Sequence, residues 1–284
     1  MIQNMKQRIH FFKMTGTGND FILIDNRNCN LDADHCQDLV RRACRHKLSV
    51  GADGMILIEN DPEVDFKWRF FNADASEAEM CGNGARCAAR FAHLTGIVDK
   101  PQMAFRTLAG IIRAEILGSR VKVQMTAPHS LQLGVSLQID GRPFDLDFVN
   151  TGVPHAVCFA ADERELESED VHHWGHAIRF HPRFHPAGAN ANFVAVQDPH
   201  QISIRTYERG VEGETLACGT GAIASTLVSA ARDRVHSPVE VRTRSGEFLT
   251  IYFDRRQNGA LFGDVYLEGE ARVVYEADLW NETV

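Results

Sequence analysis

Two nine-residue stretches of this chain follow one pattern. Residues 77–85 read EAEMCGNGA and residues 214–222 read ETLACGTGA. Each is Glu, three residues, Cys, Gly, one polar residue, Gly, Ala. The first copy supplies Glu77, Cys81, Gly82, Gly84 and Ala85; the second supplies Glu214, Cys218, Gly219, Gly221 and Ala222. Each copy then runs into a helix-like stretch, Arg86–Leu94 and Ile223–Arg232. The copies are one domain length apart, and 284 residues suit roughly two domains. This is the pattern of an old duplication that kept a chemically demanding turn. A thiol at a glycine-rich turn that opens a helix sits in the positive field of the helix N-terminus, which favours thiolate. Free cysteine is often only a small buried hydrophobe, but packing does not require the same five residues twice at the same spacing.

Both halves mix many strand candidates with two helices. In the first half the β-rich runs are Ile9–Met14, Phe21–Asp25, Met55–Glu59, Phe66–Asn72, Met103–Thr107, Gly110–Leu117 and Arg120–Met125, with helices at Asp34–Arg45 and Ala85–Leu94. In the second they are Phe144–Asn150, Pro154–Phe159, Ala191–Val196, Gln201–Tyr207, Val239–Arg242, Glu247–Phe253 and Ala260–Leu267, with helices at Val171–Ile178 and Gly221–Arg232. The expected fold is mixed α/β in two pseudo-symmetric domains, residues 8–126 with Cys81 and 127–270 with Cys218. The last segment, Ala271–Tyr275, reads as a strand belonging to either half, and joining the first domain is one option for residues 271–284.

Composition narrows the function classes. A net charge of −8 without a long basic run argues against nucleic acid as a partner. No apolar run reaches the ~18 residues of a membrane span, and the N-terminus lacks a signal-peptide core. Seven cysteines without a disulfide spacing suggest free thiols in a reducing cytoplasm. No lysine sits in a setting that suggests a Schiff-base cofactor.

Paired thiols suit one reaction type. Inverting a carbon beside a carboxylate needs a base on one face and a proton donor on the other. Two matching thiols, one ionised and one not, can exchange those roles with reaction direction. Backbone N–H groups at two helix N-termini could hold the charge that builds on the carboxylate.

Other residues carry weaker signals. Cys29, Cys36, Cys44, Cys87 and Cys158 read as packing residues. The run HHWGHAIRFHPRFHP (172–186) pairs His172 with His176 at i, i+4, but no HExxH pattern or nearby cysteine completes a metal set, so no metal is expected. His155 follows Pro154 at the start of an apolar strand and is equally well a strand-end histidine. Asn19–Asp20 in TGTGNDF and Asn72 in FFNADASE sit where polar side chains bind ligands or simply make turns. Glu208–Arg209 could grip a zwitterion or form a surface ion pair.

Together, FFKMTGTGNDFILIDNR, GADGMILIE, FFNADASEAEMCGNGARCAARF, NTGVPHAV, ANANFV and YERGVEGETLACGTGA resemble the diaminopimelate epimerase family in order and wording, from about Ile9 to Glu270. The resemblance implies interconversion of LL- and meso-diaminopimelate in lysine and peptidoglycan precursor synthesis, with no cofactor. It implies two α/β domains, each a strand barrel around a central helix. Diaminopimelate is then the small-molecule partner, and a homodimer is compatible with the family. Cys81 and Cys218 resemble its acid–base pair. Asn19, Asn72, Gly82, Asn83, Asn190, Glu208, Arg209, Gly219 and Thr220 resemble its substrate contacts, with Asn192 an alternative to Asn190. His155 and Glu208 resemble residues that tune the thiols. The chain departs from the family's pattern at Val153, Gly54 and Ala75, and in a longer ERGVEGET segment. The runner-up function is a cofactor-free racemase of another amino acid with the same cysteine pair.

Overall fold

The structure, a computed structural model, describes residues 8–28, 31, 33–256, 261–280 and 282. The chain forms two compact units. One runs to Val123 and takes in the chain again from Gly269; the other is Gln124–Glu268.

The first unit contains β1 (Ile9–Gly16), β2 (Asn19–Asp25), α1 (Ala33–Ala43), β3 (Gly54–Glu59), β4 (Phe66–Asn72), α2 (Gly82–Leu94), β5 (Gln102–Thr107), β6 (Gly110–Leu117) and β7 (Arg120–Gln124). The C-terminal strand, Arg272–Leu279, lies antiparallel to β1 and so belongs to this unit. From that strand the pairings run through β1 to β7 in chain order. They are antiparallel except for β2–β3 and β4–β5, which are parallel. A parallel pair needs a crossover, and α1 and α2 supply the two.

β2 and β3 read FILID and MILIE, without polar alternation, because both faces are covered. On one face α1 packs Leu39, Val40 and Ala43 against Phe11, Ile22, Ile24, Met55 and Leu57. On the other runs α2, which is buried from Asn83 to Ala89. Its sequence, GNGARCAARFAHL, is rich in alanine, which lets strands pack close to the helix, and it also buries Arg86 and Phe91.

The second unit contains β8 (His129–Ile139), β9 (Arg142–Asn150), β10 (Pro154–Phe159), α3 (Glu163–Ser168), α4 (Val171–Arg179), β11 (Asn190–Asp198), β12 (Gln201–Glu208), β13 (Gly213–Thr215), α5 (Gly219–Ala231), β14 (Val239–Arg242), β15 (Phe248–Arg255) and β16 (Phe262–Glu270). Its pairings follow the same series. β8–β9 and β9–β10 are antiparallel, β10–β11 parallel, β11–β12 antiparallel, β12–β14 parallel, β14–β15 and β15–β16 antiparallel. The C-terminal strand therefore holds the place in the first unit that β8 holds in the second. α5, buried from Gly221 to Ala230, is the enclosed helix. Leu166, Val171 and Ile178 of α3 and α4 cover the outer face over Ala156, Ala191 and Phe193.

Four features differ from the sequence expectations. Both enclosed helices start earlier, at Gly82 and Gly219, because the cysteines are their N-caps. β8 and α3 were not anticipated. β8 is mostly exposed and carries Ser130 and Gly134 at positive φ, so it shows no clean alternation. Among the described residues the second unit thus has three α-helices where two were expected. The expected strand Ala260–Leu267 begins outside the described residues, and the observed one is Phe262–Glu270; Cys29 also lies outside them. Among the described residues no helix is long and apolar enough to cross a membrane.

Candidate active site

Each enclosed helix opens at a cysteine in extended backbone, Cys81 at φ −143° and Cys218 at φ −127°. The Cys81 Sγ accepts the Gly84 N–H at 3.5 Å. The Cys218 Sγ makes no such cap and lies 3.5 Å from the Thr220 hydroxyl. Cys81 is partly exposed, whereas Cys218 is buried. Both thiols sit where the unpaired N–H groups of a first helical turn point.

The second glycine of each motif has a packing reason. A Cβ on Gly221 would lie 2.4 Å from the Asn192 Oδ1 and 3.3 Å from the Cys218 Sγ. A Cβ on Gly84 would meet the Ile56 Cδ1 at 3.2 Å, and the Cys81 Cβ and Trp68 Cζ3 at the ordinary contact distance of 3.5 Å.

In the first unit Asn83 and Asn19 are joined. The Asn83 amide donates to the Thr17 carbonyl at 3.2 Å and to the Asn19 Oδ1 at 2.7 Å, and its oxygen accepts from the Arg86 guanidinium at 2.9 Å. Both amide hydrogens of Asn83 are thereby used. Asn19 donates to Asp53 at 2.8 Å and keeps one amide hydrogen uncommitted. Arg86, fully buried, also donates to the Thr17 hydroxyl and to the carbonyls of Gly82 and Glu270. Asn72, at the end of β4, turns to the Ser76 hydroxyl instead of joining this group.

In the second unit Asn190 begins β11. Its oxygen accepts the Arg209 main-chain N–H at 2.8 Å and its amide donates to the Pro154 carbonyl at 3.0 Å, leaving one hydrogen. The Arg209 guanidinium reaches the Ala187 carbonyl at 3.1 Å, and Glu208 accepts from the Thr215 hydroxyl at 2.9 Å. Asn192 differs: its amide serves His155 Nδ1 and the Ala156 carbonyl, its oxygen accepts from Thr206, and no donor remains.

His155 is fully buried, and burial pushes its pKa down to about 3, with the Arg209 charge adding to the effect. Because Nδ1 accepts from Asn192, the proton of this neutral ring sits on Nε2, which has no hydrogen-bond partner among the described residues. His172 and His176 stand edge-on to Tyr207, and among the described residues no group of three metal-ligating side chains gathers.

The duplication also reaches further upstream than the cysteine motif. β4 ends in Arg69, Phe70, Phe71, Asn72 and β12 in Arg205, Thr206, Tyr207, Glu208. Phe71 pairs with Glu77, and Tyr207 with Glu214. Between strand and return, Ala75 and Glu212 both adopt positive φ, +69° and +56°. Ala75 therefore occupies a site that suits glycine. The repeat was hidden because the connecting loop is one residue longer in the second copy.

A family model described as diaminopimelate epimerase matches residues 11–131 and 148–274. The chain belongs to the diaminopimelate epimerase family. It is similar to the diaminopimelate epimerase of Aquifex aeolicus, 46% identical over 97% of this chain and 99% of that protein. It is also 46% identical to the one from Hydrogenobaculum sp., over 95% and 98%. Its fold is shared at 15% identity with a PhzF-family phenazine biosynthesis protein of Bacillus anthracis, TM-score 0.75, over 97% and 100% of the two chains. A hydroxyproline epimerase from Agrobacterium vitis shares it too, TM-score 0.71 at 14% identity, over 98% and 94%. Sequence reasoning missed two supports of these candidate residues, Asp53 beneath Asn19 and Arg86 beneath Asn83 and Thr17, Asp53 and Thr17 being distant in sequence from their partners.

Proposed function

We propose that this chain epimerises LL-diaminopimelate to meso-diaminopimelate with two thiols and no cofactor, in lysine and peptidoglycan precursor synthesis. Two cysteines, each the N-cap of an enclosed helix in a duplicated unit, carry the reading. Family membership supplies the substrate.

In the proposed step Cys81, as thiolate, takes the proton from the α-carbon. The electron pair of the broken C–H bond spreads into the carboxylate, which rests on the N–H groups at Gly82–Asn83 and Gly219–Thr220. Cys218 gives its thiol proton to the opposite face and becomes the thiolate. The reverse direction exchanges the roles. The Gly84 N–H on Cys81 favours the ionised form there, since hydrogen bonding to a charged form lowers its energy. Asn19, Asn190, Asn72, Glu208 and Arg209 hold the substrate's amino and carboxylate groups; Asn19 and Asn190 each retain one free donor for that purpose. His155 acts as a neutral dipole beside the Cys218 helix rather than as a cation. The free cysteines suit a reducing, cytoplasmic setting.

The test is a panel of amino acids incubated in D₂O, scored by NMR for exchange of the α-hydrogen. Exchange and inversion confined to diaminopimelate are expected. Exchange only of another amino acid would replace the substrate assignment, and exchange surviving in both Cys81→Ala and Cys218→Ala would end the two-thiol mechanism.

A further inference from the structure

We infer that the repeated glutamates Glu77 and Glu214, with Arg69 and Arg205, are positioning pairs that set the two cysteine caps. The inference rests on the two-thiol reading above and assigns a role to the one element of the repeated motif that reading leaves idle.

The two pairs have the same construction. Arg69 Nε donates to Glu77 Oε1 at 3.0 Å and its Nη2 to Oε2 at 3.4 Å. Arg205 Nε donates to Glu214 Oε1 at 2.7 Å and its Nη2 to Oε2 at 2.8 Å. In both, the arginine lies two residues before the aromatic residue that pairs with the glutamate. In both, the residue after the glutamate meets the residue after the arginine, Ala78 with Phe70 and Thr215 with Thr206. In both, the glutamate stands four residues before the cysteine.

Stability alone does not explain this repetition. The Arg69–Glu77 pair is partly exposed, with side chains 22% and 32% accessible, and such pairs add only ~0–1 kcal/mol. Arg205 is more enclosed and spends its other nitrogen on the carbonyls of Leu166, Glu167 and Glu169. Two sites of different burial have kept one bidentate geometry. That geometry ties the end of a sheet strand to the backbone entering the cysteine turn. It also fixes the register between Asn72 or Glu208, at the strand end, and the thiol four residues past the glutamate.

The test is the pH dependence of thiol alkylation, read by peptide mass spectrometry for each cysteine, beside kcat and KM. Glu77→Gln removes a negative charge and frees the Arg69 cation. Acting through charge alone, both changes would lower the pKa of Cys81. Loss of position moves the sulfur off the helix N-terminus and raises it. The expected result is a raised alkylation midpoint for Cys81 alone, and a kcat about tenfold to a hundredfold lower with KM nearly unchanged, the scale of an ~1 Å misplacement. Glu214→Gln should do the same to Cys218 alone, more severely. Arg69→Lys keeps the charge but loses the planar fork, so it should behave like Glu77→Gln.

A lowered or unchanged midpoint, equal shifts at both cysteines, or full activity in Arg69→Lys would overturn the positioning role. If Glu214→Gln fails to fold, the exposed Arg69–Glu77 pair decides the matter. The two-thiol reading fails separately, by activity in Cys81→Ala or Cys218→Ala.

Discussion

The two motif glycines, equivalent in sequence, should respond differently to alanine. Gly221→Ala places a methyl carbon 2.4 Å from the Asn192 Oδ1, where carbon–heavy-atom contacts prefer roughly 3.5 Å. Asn192 is fully buried, and its three hydrogen-bonding directions are held by Thr206, His155 and Ala156. Moving it by about 1 Å breaks at least one buried hydrogen bond, at ~1–3 kcal/mol. Overpacking in a filled core adds ~1–3 kcal/mol. The gain from alanine over glycine in a helix is only about 1 kcal/mol. Net destabilisation should be roughly 1–5 kcal/mol. Gly84→Ala meets a rotatable isoleucine methyl at 3.2 Å, so the same helical gain should bring it within about 1 kcal/mol of the parent.

Urea unfolding followed by circular dichroism gives the comparison, with kcat measured on the same samples. Gly221→Ala should also lose activity, because the new methyl lies 3.3 Å from the Cys218 sulfur. A Gly221→Ala protein no less stable than Gly84→Ala would refute the steric reasoning.

Three further outcomes are expected. His155 has its pKa depressed from 6.5 to about 3, so the stability it confers is full above pH 6.5 and falls with pH below that, by about 1.4 kcal/mol per unit until the folded pKa is reached. Between pH 6.5 and 5 the parent should therefore lose about 2 kcal/mol more than His155→Gln in urea titrations, and equal losses would count against the buried neutral ring. Arg209→Ala and Asn190→Ala should each lower kcat/KM on diaminopimelate by roughly tenfold to a hundredfold, one charge-assisted hydrogen bond, while both cysteines still react with an alkylating probe. Unchanged kcat/KM in Arg209→Ala would favour a substrate without a second amino-acid end. Cys81→Ser and Cys218→Ser should leave a poor enzyme, since a hydroxyl is a far weaker acid than a thiol of pKa ~8.5, and progress curves in both directions would reveal any exception.

Much of this fold was legible because it is written locally. The strands FILID and MILIE announce themselves as apolar runs, and the cysteine motif marks both enclosed helices. β8 was not legible, because an exposed strand interrupted at Gly134 leaves no periodic trace. Nor was the allegiance of the C-terminal strand, which depends on pairing Ile9 with Leu279 across the whole chain. In the candidate site, residue types pointed to Cys81 and Asn19, and the family resemblance to Asn190, but neither pointed to the side chains that hold them. Asn83 meets Asn19 across 64 positions, and Arg86 meets Glu270 across 184. Asn190 and Asn192 look alike in ANANFV. Only the hydrogen bonds separate them, one keeping a free donor and the other spending both its donors beneath Gly221.

What the duplication kept, and what it let drift, divides along chemical lines. Arginine, aromatic residue, left-handed loop residue, glutamate, cysteine and glycine recur in both units at the same places in the sheet. These are the parts a thiol needs whichever way a proton travels: an anchored turn and a helix N-terminus. What differs is what the proposed reaction would treat unequally. Asn72 stands where Glu208 stands, one neutral and one anionic. Cys81 takes a cap hydrogen bond and is partly open, whereas Cys218 is buried beside a hydroxyl. Gly84 has slack and Gly221 has none. The two α-carbons of LL-diaminopimelate are equivalent by symmetry, so what an unequal pair of residues would fix in the proposed site is how the substrate lies, not which carbon reacts. The drift at Asn72 and Glu208 gives the proposed site a direction. Exchanging them, as Asn72→Glu with Glu208→Asn, should abolish turnover on diaminopimelate while both thiols keep their alkylation profiles. Retained turnover in the double variant would show that substrate orientation is set elsewhere.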